Sequence, residues 1–594
     1  MIKHFIFALL LFTSLSIFAE VRYVSKTGSS TAPYTTWETA CDSLQKCFDY
    51  CNNGDTVYVD RGIYRESIYI NTKDLTIIGV DTDECIIDGT GVPTKEYDSC
   101  ISIKLSNCTV STLTIKKTES FIHTFYYALY IDGGSILVEH CNIDSTITAM
   151  LTAANSLIRN NLFRNNGIAL SCYTFSYEPT FEIYNNYIQV VPSYPIIGGI
   201  DANWGGKFII KNNYINVLIN NSHNTGIFVK SNERVEISNN IVSNFNNNIE
   251  IRTWPAPPYD SSFVTNNTLL NSKYSSIVTG GYGQFYCFKN NILAHNAKGI
   301  NLTYAQNFQS DYNLFFNTIG DNYTNYSQGE HDVFADPMFA KDTLYTLGAI
   351  DNFRLQKFSP AIDTGDPSIL DVDGSRSDIG MFGGPNGISY EYRDLAPKVV
   401  KKLKAVYEPD TNRVILTWKP NTEADLKEYC VYKDINPNFT LDSTKRVAIL
   451  TDTLFYDRLE KGTQKVYYKV TATDNSGNQS YPSAEVNVTI TNVNEATITD
   501  NYEYALYQNY PNPFNPTTTI SYSLKDESEV RIKIYSISGE LIKAIIEGNK
   551  SKGYNETQID LSNMASGIYL YRLEVTGKGK IPVFNDLKKM VLVK

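Results

Sequence analysis

The chain has 594 residues, a formal net charge of -11 and 43 tyrosines within an aromatic content of 13%. That length predicts several domains, and the acidic, aromatic-rich composition excludes a nucleic-acid binder working through a bulk positive field while suiting sugar rings. Ten cysteines, at 41, 47, 51, 85, 100, 108, 141, 172, 287 and 430, include no Cys-x-x-Cys pair and no matching histidine spacing; an ordinary zinc site is excluded, and two readings stay open, buried core thiols or one or two disulfides in the N-terminal cap.

In chain order, "MIKHFIFALLLFTSLSIFAE" joins a Lys/His start to an apolar run and a small residue at Ala19. This predicts a secretory signal peptide over residues 1–19. No later run approaches 18 apolar residues, so no transmembrane segment is expected in the mature chain. Next comes an amphipathic helical pattern at Trp37, Ala40, Leu44, Cys47, Phe48 and Cys51, stopped by Asn52-Asn53-Gly54. A helix there can plug the open end of a stack of strands, which otherwise exposes apolar surface and unpaired edge.

Asparagine pairs then begin at Asn160, Asn185, Asn212, Asn239, Asn266 and Asn290, in steps of 25, 27, 27, 27 and 24 residues, with a degenerate copy at Asn313. A fixed period marks a repeat architecture. Short alternating segments such as "KFIIK", "GIFVK" and "RVEIS" read as half-buried strands. Three short strands and three turns per period make one coil of a parallel β-helix, stacked at about 4.8 Å. Asparagine suits such a coil because it tolerates a left-handed turn conformation and its amides can hydrogen-bond from coil to coil.

The stretch from Tyr23 to Glu66 resembles the N-terminal cap of secreted pectate lyase-like proteins. "DPMFA", "NFRLQKFSPAID" and "DVDGSRSDIGMFGG", within 336–384, resemble the closing segment of that superfamily. The resemblance spans residues 20–390 and implies an all-β fold class: a right-handed parallel β-helix of about 10 to 12 coils with a helical cap. The same scaffold carries lyases, hydrolases, epimerases and non-catalytic adhesins. "DVDG" at Asp371 to Gly374 lacks the spacing of an EF-hand calcium loop and reads as a cap turn.

After Tyr390 a linker leads into residues 397–491, about seven short strands with Trp418 in an early one, which predicts a β-sandwich. The string "VYYKVTATDNSGNQSYPS" is similar to the end of bacterial fibronectin type III modules. Residues 505–594 begin "YALYQNYPNPFNP", whose prolines 511, 513 and 516 fix an extended entry, and end on "KKMVLVK". They resemble the C-terminal sorting domain of the type IX secretion system. The resemblance implies type IX machinery as a partner, a Gram-negative source, a cut within 492–504 or anchoring there, and release or display at the cell surface.

Counted from the asparagine pairs, the irregular segments recur about 11 to 20 residues later and are expected along one edge of the solenoid. That edge collects Tyr173, Phe175, Tyr177, Trp204, Trp254, Tyr259, Tyr282 and Tyr304. Two readings stand: an aromatic track for an extended polysaccharide, or plain loop packing. Asp201, Lys230, Glu250 and Arg252 fall on the same edge. Uronide cleavage by β-elimination needs a group that neutralises the sugar carboxylate, Ca²⁺ on acidic ligands or a cation, and a base for the C5 proton. The step from Lys230 to Arg252 is similar to the base and acid pair of alginate and chondroitin lyases of this fold, although the glutamates preceding the lysine there are His223 and Thr225 here. Asp201 and Glu250 are the candidate Ca²⁺ ligands. No adjacent Asp-Asp, Gly-His-Gly or Arg-x-Pro-x-x-Arg string occurs, so a lyase is favoured over a polygalacturonase-type hydrolase. A monomer acting as a uronate polysaccharide lyase and a non-catalytic glycan-binding adhesin both remain.

Overall fold

The computed structural model describes residues 19–94, 98–117, 127–144, 147–173, 179–191, 197–203, 205–217, 224–253, 260–281, 284–303, 307–341, 349–460, 463–490, 502–509, 512, 514–577 and 581–593. The expected signal peptide core lies outside them. The chain divides into two compact units between Tyr392 and Arg393.

The first unit is a parallel β-helix. Each coil has three strands, and each strand pairs in parallel with its counterpart one coil on. Asn224–Lys230, Val235–Ser238 and Ile241–Ser243, for instance, pair with Asn247–Arg252, Ser261–Thr265 and Thr268–Leu270. We call these the first, second and third faces. The third face is a sheet of 12 strands, whereas the first two are joined in one sheet of 21. The junction is made by Ser99–Ser111 and Tyr127–Glu139, strands of 13 residues each that run through both faces. In Tyr127–Glu139 the bend needs glycine: Gly134 has φ +82°, and a Cβ there would stand 2.0 Å from the Ser106 carbonyl oxygen. Inward Ile, Val, Leu, Phe and Cys side chains fill the lumen as one continuous core.

The two asparagines of each pair divide the labour. The first takes the left-handed turn conformation, with φ between 53° and 57° from Asn160 to Asn290. The second builds a buried ladder through Asn161, Asn186, Asn213, Asn240, Asn267, Asn291 and Asn313. Each side-chain oxygen from Asn186 onward accepts the backbone N–H and the amide N–H of the preceding coil's asparagine at 2.9–3.1 Å. Cys141 N–H feeds the first rung and Asp332 accepts from the last. Aromatic stacking repeats the period, with ring centroids 4.8 Å apart in Phe181/Phe208 and in Tyr187/Tyr214.

The N-terminal helix is shorter than the sequence pattern predicts, Leu44–Tyr50. Ser43 caps it, and the Glu66 carboxylate accepts the Leu44 and Gln45 N–H groups, which fixes the first turn at that point. Ala40 and Cys41 precede the helix, Cys41 bridging in parallel to Val24, and Trp37 packs on Tyr23 at 4.5 Å. All ten cysteines are buried free thiols, which is the core-thiol reading and not the disulfide one.

Residues 349–392 fold back over the third face. Phe353, Leu355, Ala361, Ile379 and Met381 pack on its outward Tyr214, Ile241, Leu270, Ile292 and Leu314. Asn239 donates to the Met381 and Gly383 carbonyls, and Asn266 to Ser377 Oγ and the Asp378 carbonyl. Asp371 accepts the N–H groups of Asp378 and Gly384, so "DVDG" is a turn of this strap.

The second unit holds two pairs of antiparallel sheets. Lys401–Glu408, Arg413–Lys419 and Leu454–Arg458 face Leu426–Asp434, Arg446–Leu450, Lys465–Asp474 and Val486–Thr489 around a core containing Trp418. This is a seven-strand sandwich. Farther on, Ala505–Leu506, Thr517–Leu524 and Gly553–Asp560 form one sheet, and Ser528–Ser536, Leu541–Lys550, Gly567–Gly577 and Ile581–Leu592 the other. Among the described residues no helix is long and apolar enough to cross a membrane.

Candidate functional site

Alternation along the first-face strands decides which side chains reach the outside. Ile200 and Ala202, Ile227 and Val229, and Ile249 and Ile251 point into the lumen and are fully buried. The residues between and beyond them therefore face outward. Asp201, Phe228, Glu250 and Val278 are register partners on consecutive strands. Lys230 and Arg252 are partners in a parallel column, and Tyr173 partners Asn203 at the strand end two residues beyond Asp201.

Asp201, Lys230, Glu250 and Arg252 thus share one outward surface over three coils. Glu250 is 6% exposed and is held from three sides. Arg252 Nε donates to Oε1 at 2.6 Å, and Asn247 and Thr225 reach Oε2 at 3.2 and 3.5 Å. The Arg252 guanidinium also stands 5.7 Å above the Phe228 ring, which anchors the cation and leaves its outer edge to solvent. Asn203 donates to Asp201 at 2.6 Å. Burial pushes the Asp201 carboxyl up to about 6, since removing water disfavours the charged form.

One expectation is corrected here. Asp201 and Glu250 do not converge on a single Ca²⁺, because the Phe228 strand runs between theirs and two strand spacings amount to about 9.6 Å. Glu250 is instead neutralised by Arg252. Tyr173 stands with its hydroxyl 3.4 Å from that of Tyr130. Tyr177, Trp204, Trp254, Tyr259 and Tyr282, with Phe175 and Tyr304, lie outside the described residues, so the aromatic track is a matter of sequence only. Phe228, Asn203, Asn247 and Thr225 were missed by sequence reasoning. The period-two count that exposes Asp201 and Glu250 exposes Phe228 as well.

Residues 508–582 match the secretion system C-terminal sorting domain family. No curated protein matches the sequence. Among solved structures, pectate lyase Pel9A aligns at 14% identity over 63% of this chain and 96% of its own, with a TM-score of 0.37. An Fn3-like protein from Clostridium thermocellum aligns at 26% identity over 17% of this chain and 99% of its own, TM-score 0.14. The central fibronectin-III array of RIM-binding protein aligns at 10% identity over 33% and 69%, TM-score 0.21. The chain is a secreted or cell-surface protein that joins a parallel β-helix to a seven-strand β-sandwich and a secretion system C-terminal sorting domain.

Proposed function

We propose that the outward first face binds acidic polysaccharide at the surface of a Gram-negative cell and cleaves it by β-elimination, as a uronate polysaccharide lyase. The observation that carries this reading is the register pairing of Lys230 with Arg252 beside Glu250 and Phe228. Arg252, fixed by Glu250, presents a cation to the sugar carboxylate. Withdrawing that negative charge acidifies the C5 proton, which Lys230, one strand away, takes as base; the electron pair forms the C4=C5 double bond, the C4–O4 bond breaks, and the departing glycosidic oxygen takes a proton from water. Phe228 supplies a ring face for sugars, and Trp204 and Trp254 are the sequence-based candidates for further ones.

A second reading has its own support. Because Arg252 already carries a carboxylate partner, the surface is also suited to bind a polyanion without turning it over, as an adhesin does. Incubating the full chain with polyuronates and following absorbance of the unsaturated product separates the two. In the lyase, Lys230→Ala abolishes turnover and leaves binding nearly intact, the proton-transfer step alone being worth about 10² to 10⁴ in rate. In the adhesin, wild type gives no product and Lys230→Ala weakens binding in a salt-dependent way.

A further inference from the structure

The fibronectin III-like module carries an acidic cluster that the glycan reading does not use. Asp394 lies ahead of the first strand, Asp425 just before Leu426–Asp434, and Asp474 at the end of Lys465–Asp474. Leu426 and Asp474 are register partners, and Asn475 N–H donates to the Asp425 carbonyl at 2.9 Å, which brings the last two acids together. One carboxylate oxygen from each of the three lies within 4.8 Å of the others. That is the span of oxygens around one hard cation with metal–oxygen distances of about 2.3 to 2.6 Å.

Asn478 is the polar neighbour of two of the acids. Its backbone and side-chain N–H groups donate to Asp474 at 2.8 and 2.9 Å, and the side chain reaches Asp394 at 3.2 Å. Asp425 differs. It is 6% exposed, and among the described residues its carboxylate has no hydrogen-bond donor from any other residue and no ion-pair partner, while one of its oxygens is aimed into the cluster. Elsewhere in the module the buried Asp457 is neutralised by Lys433 at 2.6 Å and the half-buried Glu485 by Lys469 at 3.3 Å, while the buried Glu423 accepts the Lys398 and Thr422 backbone N–H groups. Asp425 has no such counter-charge among the described residues. Leaving such a group without compensation is costly.

We infer that Asp394, Asp425 and Asp474 form a Ca²⁺ site that fastens the segment entering the module to two of its strand ends. Three carboxylates, backbone carbonyls and water supply the oxygen ligands that Ca²⁺ accepts in irregular geometry, whereas Mg²⁺ demands a near-ideal octahedron. The affinity expected of an extracellular module is a Kd on the order of 10⁻⁴ to 10⁻³ M.

The test is calorimetric titration of the full chain with CaCl₂, beside the variants Asp394→Asn, Asp425→Asn and, as a control for the β-helix, Glu250→Gln. The expected result is a Ca²⁺ event in wild type and in Glu250→Gln that weakens about tenfold or more in either aspartate variant. Binding that persists unchanged in both aspartate variants overturns the site, and an equal response to MgCl₂ overturns the calcium assignment. Hydrogen exchange of the wild type covers the case of a variant that does not fold. Ca²⁺ must slow exchange around 393–400 and 474–478, and no change there overturns the proposal.

Discussion

The first and third faces of the same coils make opposite use of their outer surfaces. On the third face the outward residues are Tyr214, Ile241, Leu270, Ile292 and Leu314, and they are buried under the strap of residues 349–392. On the first face, in the same coils, they are Asp201, Phe228, Lys230, Glu250 and Arg252. Backbone geometry and lumen packing are alike on both. What differs is the chemistry at every second position, so the coil is a neutral frame and its outward residues decide which face becomes core and which meets solvent and ligand. The asparagine pairs serve the third face twice, once by turning the chain and once by holding the strap.

The largest expected effect breaks the shared frame itself. Asn240→Ala removes the oxygen that accepts from Asn213 and the amide that serves Ile210, Ser238 and Asn267. Several buried partners are orphaned, so denaturant unfolding is expected to show a loss of about 3 to 5 kcal/mol; a loss below about 1 kcal/mol would mean the ladder is ornamental. Next, Asn239→Gly keeps the turn conformation and deletes only the strap contacts, at a cost of about 1 to 3 kcal/mol. The matching Asn160→Gly, at an exposed turn, is expected to stay within about 0.5 kcal/mol. Equal effects at the two sites would erase the distinction between covered and uncovered turns.

A pH series sharpens the first face. The Asp201 carboxyl is raised from 3.8 to about 6 in the folded chain, so between those values the folded state binds more protons than the unfolded one. Its favourable contribution is complete below pH 3.8 and is lost as pH rises through about 6. Asp201→Asn is therefore expected to gain about 1 to 2 kcal/mol over wild type above pH 6, allowing for partial exposure, and nothing below pH 4. A flat difference across that window would contradict the desolvated placement. On glycan binding, a weakening of roughly tenfold, about 1.4 kcal/mol, is expected in Trp204→Ala or Trp254→Ala, measured by affinity electrophoresis. No change in either would remove the aromatic track.

The coil period and both duties of asparagine were legible because each recurs, and a repeated signal survives the ambiguity of any one copy. The strap was not. Its contacts join Asn239 to Met381 and Asn266 to Asp378 across more than a hundred residues, and nothing local in "MFGG" names its partner. The start of the helix was misplaced because Glu66, the residue that fixes it, lies outside the pattern being counted. On the first face, spacing alone placed Lys230 and Arg252 together. It could not show that Glu250 turns to Arg252 instead of to Asp201, since that depends on which strand stands between them.

Hydrogen exchange of the full chain with and without a polyuronate tests the assignment of faces most directly. The account predicts slowed exchange in peptides covering 197–203, 224–230 and 247–252, with the third face and its strap unchanged. Protection confined to the strap or to the C-terminal modules, or none with any polyuronate, would contradict it.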